Sequence, residues 1–191
     1  MDPRRNQAAI IIHASATGAA ALSGVMANIA MFGADIPFLA AINITMILSL
    51  GKLFGQKLER KALTTVGLQL LAMSAGPLVA KGLLGIVPGL GNLINAGVAF
   101  TITEGIGWTA FMIFDSGNDI TKMKKPDLEG IYKKRNTIEK PDINKLRNAM
   151  SPEDRARYEY LQSQVNNKSI SDEERQGYLD ELGRIAKKYS E

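Results

Sequence analysis

The groups of this sequence best placed to do chemistry are four ionisable side chains, His13, Asp35, Lys81 and Glu104, set in stretches that are otherwise almost free of charge. Leaving such groups unpaired among apolar residues is expensive, so they read as proton-relay groups, pore-lining groups or structural partners of one another. His13 and Glu104 are the expected pair, because the first and fourth apolar blocks can lie side by side in a bundle. Facing a wet cavity, the two would suggest a relay or a pore; facing each other, they would be structural glue, and the sequence leaves both open. Lys81 has to reach outward along its stem or face a neighbouring helix. Asn28, Asn43 and Gln69 add further polar groups to the apolar blocks.

Other chemistry is excluded by residue type. His13 is the sole histidine and the chain has no cysteine, which rules out a histidine-rich or thiolate metal site, a disulfide and a cysteine nucleophile. A phosphate-cradling loop needs glycines followed by Lys and a hydroxyl residue at fixed spacing. "GKLFGQK" at Gly51 lacks the Lys followed by Ser or Thr, and "GLGN" at Gly89 lacks a base. With no visible set of base, nucleophile and oxyanion donor, neither an enzyme nor a cofactor is expected. The net charge of +4 would permit an anionic partner, but the bases near the C-terminus are interleaved with acids, a solvated helical surface rather than a nucleic-acid site.

Four charge-poor blocks must position these residues: Ile10 to Phe32, Ile36 to about Phe54, Ala62 to about Val87, and Leu93 to Phe114. Their length and their content of Ala, Leu and Met favour helix over strand, and three approach the roughly 20 residues that cross a bilayer. Gly33 and Pro37 mark the tip of one helical hairpin, and Pro88, Gly89 and Gly91 the tip of a second. Small residues recur every four positions at Ala16, Ala20 and Gly24, and again at Gly97, Thr101, Gly105 and Thr109. Such smooth faces suit close helix association in lipid, including that of a homo-oligomer. The first apolar run is longer than the core of a cleaved signal and reads as a retained segment.

Basic residues fall on alternate connections. Arg4 and Arg5 precede the first block, Lys52, Lys57, Arg60 and Lys61 separate the second and third, and Lys122, Lys124 and Lys125 follow the fourth. By the positive-inside rule this predicts a membrane-embedded module with both termini in the cytoplasm, its lone misfit being Lys81. Hairpins lying partly in the interface, or a bundle that hides its apolar faces, are the alternatives.

Charge density changes after the module. Residues 1–115 hold five acids and seven bases, and residues 116–191 hold fourteen and sixteen. Residues 116–141 read as a polar linker, whose lysines suit anionic headgroups, and residues 142–191 as a charged helical hairpin. Ser151 and Pro152 start one helix. Ser171 with Glu174 predicts a capping box at the start of the last, whose stripe is Tyr178, Leu182, Ile185 and Tyr189. That stripe either packs within the hairpin or docks a protein partner.

"AAIIIHASATGAAA", "ADIPFLAAINITMILSLGKLFG" and "GLLGIVPGLGNLINAGVAFTITEGIGWTAFMIF" together resemble the YcjF-type family of bacterial membrane proteins, a hydrophobic helical module of unassigned activity that also occurs fused to GTPases. The matching positions are Asp35, Pro37, Met46, Gly55, Pro88, Gly89, Gly91, Thr103 and Gly107. The EcsC-like family shows a similar pattern. The resemblance covers about three-fifths of the chain and implies a module in the bacterial inner membrane working with a separate GTPase, since no GTP-binding motif is present here. The combined expectation is an all-α protein of two hydrophobic hairpins and a helical tail, acting as a non-enzymatic membrane scaffold or adaptor or, alternatively, as a pore-forming oligomer.

Overall fold

The computed structural model describes the backbone of residues 2–26, 35–83 and 96–190, and the side chains of 2–21, 37–74 and 96–190. Among these residues are eight α-helices and no strand: α1 (Pro3–Met26), α2 (Asp35–Leu53), α3 (Arg60–Leu83), α4 (Ala96–Asp115), α5 (Lys125–Lys134), α6 (Ile143–Ala149), α7 (Pro152–Val165) and α8 (Asp172–Lys188). The fold is all-α, and the four apolar blocks are α1 to α4. The stretch expected to be a linker is built as α5 between two short 3-10 turns, Ile120–Lys122 and Arg135–Thr137. Of the expected hairpin tips, Gly33, Pro88, Gly89 and Gly91 lie outside the described residues. So do the side chains of Asp35 and Lys81, whose backbones belong to α2 and α3. Pro37 is the third residue of α2, where its missing N–H forfeits no intrahelical bond.

Two glycines end the apolar helices by the same device. At Gly55 (φ 68°) the chain turns left-handed, its N–H donates to the Lys52 carbonyl at 3.1 Å, and the Gln56 N–H donates to the Gly51 carbonyl at 2.9 Å. Gly117 (φ 74°) repeats this after α4 with the carbonyls of Phe114 and Ile113. Only glycine adopts such a backbone without strain, and the two bonds satisfy carbonyls that the helix end would orphan.

Helix α1 is the central pillar. It packs on α2, α4, α6, α7 and α8, and residues 6–12 are all buried, as are Ala14, Ser15, Ala16, Gly18 and Ala19. Helix α4 is enclosed in the same way from Gly105 to Phe111, between α1, α2, α3 and α5. A helix apolar on every side needs a jacket of protein or lipid, and along these stretches the jacket is protein. Among the described residues α4 alone is long and apolar enough to cross a membrane, and 67% of that window is buried inside the protein.

Glycines set the close approaches. A Cβ at Gly107 would lie 2.7 Å from Ile12 Cγ1 and 3.0 Å from Met46 Sδ, and one at Gly67 would lie 2.9 Å from Ile44 Cγ1. At Gly105, on the small-residue face noted in the sequence, the neighbours are Tyr132 and Arg135 of the connecting segment. The α4 face is thus filled within the chain at Gly105 and Thr109, both buried, while Gly97 and Thr101 nearer the start of the helix are exposed. One hydrophobic cluster joins Ile10, Ile47, Leu63 and Phe111 of α1 to α4 with Leu128 of α5 and with Leu146, Tyr158, Leu161 and Leu182 of the last three helices. Residues from all three segments distinguished by composition thus share a single core.

Candidate functional site

The neighbouring of α1 and α4 brings His13 and Glu104 into one niche, though not into a bonded pair. The imidazole of His13 stands edge-on to the Phe100 ring, centroids 5.7 Å apart and planes at 77°. Glu104, one turn further along α4, accepts from the Lys140 ammonium at 3.4 Å. That ammonium also lies 5.8 Å from the centre of the Trp108 ring, the geometry of a cation over an aromatic face. Burial holds the His13 pKa below its ordinary value; Glu104 pulls against that, and Arg147 from α6 pushes it further down. The imidazole is thus kept neutral and wedged among apolar neighbours.

Lys140 is the residue that sequence reasoning missed. It lies 36 positions from Glu104, in a connection whose path no local pattern specifies. Chemically the niche holds one neutral imidazole and one neutralised carboxylate. Among the described residues no group of three His, Cys, Asp or Glu side chains could hold a metal ion.

The tail makes the second candidate surface. Ser171 accepts from the Glu174 N–H at 3.1 Å, and the Glu174 carboxylate accepts from the Ser171 N–H at 2.8 Å, which completes the capping box. In the expected stripe, Leu182 and Ile185 are buried in the core, and Tyr178 and Tyr189 pack partly against it. The Tyr189 hydroxyl accepts from the Ser151 N–H at 2.9 Å and donates to Asp154 at 2.7 Å. With Lys188 also bonded to it, that carboxyl is held below the usual carboxylate range. The stripe is consumed within the chain.

Helix α8 lies against α1 and α2 as well as α7. Gly183 allows the approach: a Cβ there would stand 3.0 Å from Ile11 Cδ1 and 3.9 Å from Leu53 Cδ2. Two ion pairs clamp it, Lys52 with Asp180 at 2.6 Å and Arg60 with Asp172 at 2.9 Å. Arg175, only 3% exposed, ties the turn between α7 and α8 by donating to the carbonyls of Val165 (3.2 Å) and Asn167 (2.9 Å) and to Asp172 (3.0 Å). Arg157 donates to both Glu181 oxygens at 2.7 and 2.9 Å, joining the two helices on their outer side.

What remains exposed differs from end to end. The outer side of the tail is polar, with Arg157, Glu159 and Arg184 exposed and Tyr160 half-exposed beside Arg157. At the start of α2, by contrast, Phe38 is 38% exposed, and on α3 Leu68 is 40% exposed. Comparison of the chain with family models, with curated proteins and with solved structures yields no match.

Proposed function

We propose that this protein is a non-enzymatic, membrane-associated helical scaffold or adaptor, its apolar module engaging the lipid and its charged tail offering an outer face to a protein partner. The observation that carries the reading is the docked tail. A hairpin dense in charge is clamped over apolar α1 and α2 through Arg60 and Lys52, while Phe38 near the start of α2 is exposed and residues 22–34 carry no charge in the sequence. A separate GTPase as partner and the bacterial inner membrane as location, both termini cytoplasmic, rest on the resemblance and on the alternation of basic residues. The pore alternative draws on the same apolar helices. Its lining candidates Glu104 and His13 are engaged by Lys140 and Phe100, which favours the scaffold.

The test is fractionation of cells expressing the full chain, with alkaline carbonate extraction of the membrane pellet followed by detergent. Retention through carbonate with release by detergent supports the reading. Protein in the soluble fraction, or released by carbonate, overturns it. Leakage from liposomes that changes with Glu104→Gln would replace the scaffold with the pore.

A further inference from the structure

The outer seam of the tail holds a groove that the core does not use. It encloses about 430 Å³ between α7 and α8, lined by Asp154 and Arg157 of the first helix and by Glu181, Arg184, Ile185 and Lys188 of the second. Glu181, Arg184 and Lys188 follow one another at helical intervals of three and four and so share a face of α8. Ile185, only 5% exposed, is the one apolar side chain of the lining.

Each acid of the groove is already matched across the seam. Arg157 donates through Nε and Nη2 to both Glu181 oxygens. Lys188 donates to both Asp154 oxygens at 2.9 and 3.1 Å, one of which also accepts from Tyr189. The cations are not used up. Arg157 has Nη1 left over, the Lys188 ammonium has a third N–H, and Arg184 makes no ion pair and no hydrogen bond among the described residues. Arg184 is exposed. It is also near enough to help hold the Glu181 carboxyl below its usual range, behind the larger effect of the Arg157 hydrogen bond. With three cations against two carboxylates the groove has an excess of donors, and two of those cations are fixed by cross-helix bonds before anything arrives, which lowers the entropy lost on binding.

That chemistry selects among anions. A run of phosphates, in a nucleic acid or at a lipid surface, would bring successive charges against the Glu181 and Asp154 carboxylates, whereas a lone carboxylate meets the cations without that repulsion. A guanidinium fork matches a carboxylate in two parallel bonds. Tyr160, 50% exposed and with its ring centre 5.2 Å from the Arg157 guanidinium, adds an aromatic surface beside the groove. Tyr and Arg are the residue types on which protein interfaces concentrate their binding energy. Resting on the adaptor reading above for the existence of a partner, we infer that this groove docks an acidic segment of that protein, one carboxylate held by Arg184 beside Arg157 and Lys188, and an apolar side chain against Tyr160.

The probe is a fluorescein-labelled helical peptide of glutamate, leucine and alanine, with counterparts carrying glutamine or lysine in place of glutamate. Each is titrated with the full chain in detergent at low ionic strength and followed by fluorescence anisotropy. The parent binds the glutamate peptide in preference to the glutamine one. Arg184→Glu, which leaves the groove with two cations against three carboxylates, weakens that binding about tenfold or more and takes up the lysine peptide instead. Lys133→Glu, an equal change of charge at an exposed position on α5, leaves the glutamate peptide bound as in the parent. Should Arg184→Glu alter the helical circular dichroism, Arg184→Gln replaces it, with a several-fold loss of the glutamate peptide expected. No preference for glutamate over glutamine in the parent, or an equal loss in Lys133→Glu, overturns the inference. So does a parallel loss of binding to phosphatidylglycerol vesicles in Arg184→Glu, which would make the occupant a headgroup surface. Retention through carbonate without peptide binding overturns this inference alone, and peptide binding by a protein that carbonate releases overturns the membrane reading alone.

Discussion

Replacing Gly107 by alanine separates two opposite effects of one methyl group. In an open helical position, Gly→Ala stabilises a helix by about 0.5–1 kcal/mol, because alanine has less backbone freedom to lose. Gly177 on α8 and Gly130 on α5 are such positions, with nothing within 4 Å of an added Cβ. At Gly107 the methyl would stand 2.7 and 2.9 Å from the two γ-carbons of Ile12 and 3.0 Å from Met46 Sδ. Ile12 is β-branched, 1% exposed and in mid-helix, so it has one favoured rotamer and no room to turn. Overpacking of this kind costs about 1–3 kcal/mol, which outweighs the propensity gain and leaves a net loss of about 1 kcal/mol. For a chain of this size each kcal/mol moves the melting temperature by about 2–4 °C. Thermal unfolding by circular dichroism should therefore place Gly107→Ala about 3 °C below, and Gly177→Ala about 2 °C above, the parent protein. A Gly107→Ala variant as stable as Gly177→Ala would refute the close contact of α1, α2 and α4 at this point.

Other substitutions probe the tail and the niche. Arg175→Met leaves the carbonyls of Val165 and Asn167 without their donor; a loss of about 3 kcal/mol in urea unfolding is expected, and an unchanged midpoint would show that the turn does not depend on it. Tyr158 is fully buried, its hydroxyl has no hydrogen-bond partner among the described residues, and burial pushes its pKa up to about 12. Tyr158→Phe should accordingly leave stability unchanged or raise it by up to about 1 kcal/mol, and a clear loss would reveal a partner for that oxygen. Ser171→Ala removes the capping box and should cost about 1 kcal/mol, whereas Lys52→Ala, which breaks an exposed pair, should cost less than about 1 kcal/mol; the reverse order in chemical denaturation would contradict both assignments. His13 has a lowered pKa in the folded chain, so the unfolded chain binds the proton more readily. Stability is flat above the unfolded value of about 6.5 and falls as pH drops from there through the folded value. His13→Gln should flatten the melting temperature between about pH 7 and 5, and an identical pH profile would place the acid sensitivity elsewhere.

Local elements were legible in the sequence because their determinants are local. Ser171 with Glu174, Ser151 with Pro152, and the apolar lengths of α1 to α4 each depend on residues within a turn or two of one another, and each helix stands where those residues point. The niche was half legible: small and apolar residues on both helices allow α1 and α4 to meet, but Lys140 reaches Glu104 from a distant connection. The basic residues at the facing ends of α2 and α3 have a second role. Their placement fits the positive-inside rule, yet Lys52 and Arg60 spend their charge on Asp180 and Asp172 of the chain's own tail.

By itself the sequence determined an all-α chain, its helix starts and stops, and the contrast between an uncharged module and a charged tail, because propensity, capping and charge are written into neighbouring residues. Only the tertiary structure decided what jackets the apolar helices. A helix apolar on every side has no periodicity to say which face meets which neighbour, and burial in protein or in lipid satisfies it equally well. Gly18 against Val165, Gly107 against Ile12 and Gly183 against Ile11 made that choice for the buried part of α1, because a contact without a Cβ lets a neighbouring helix come close.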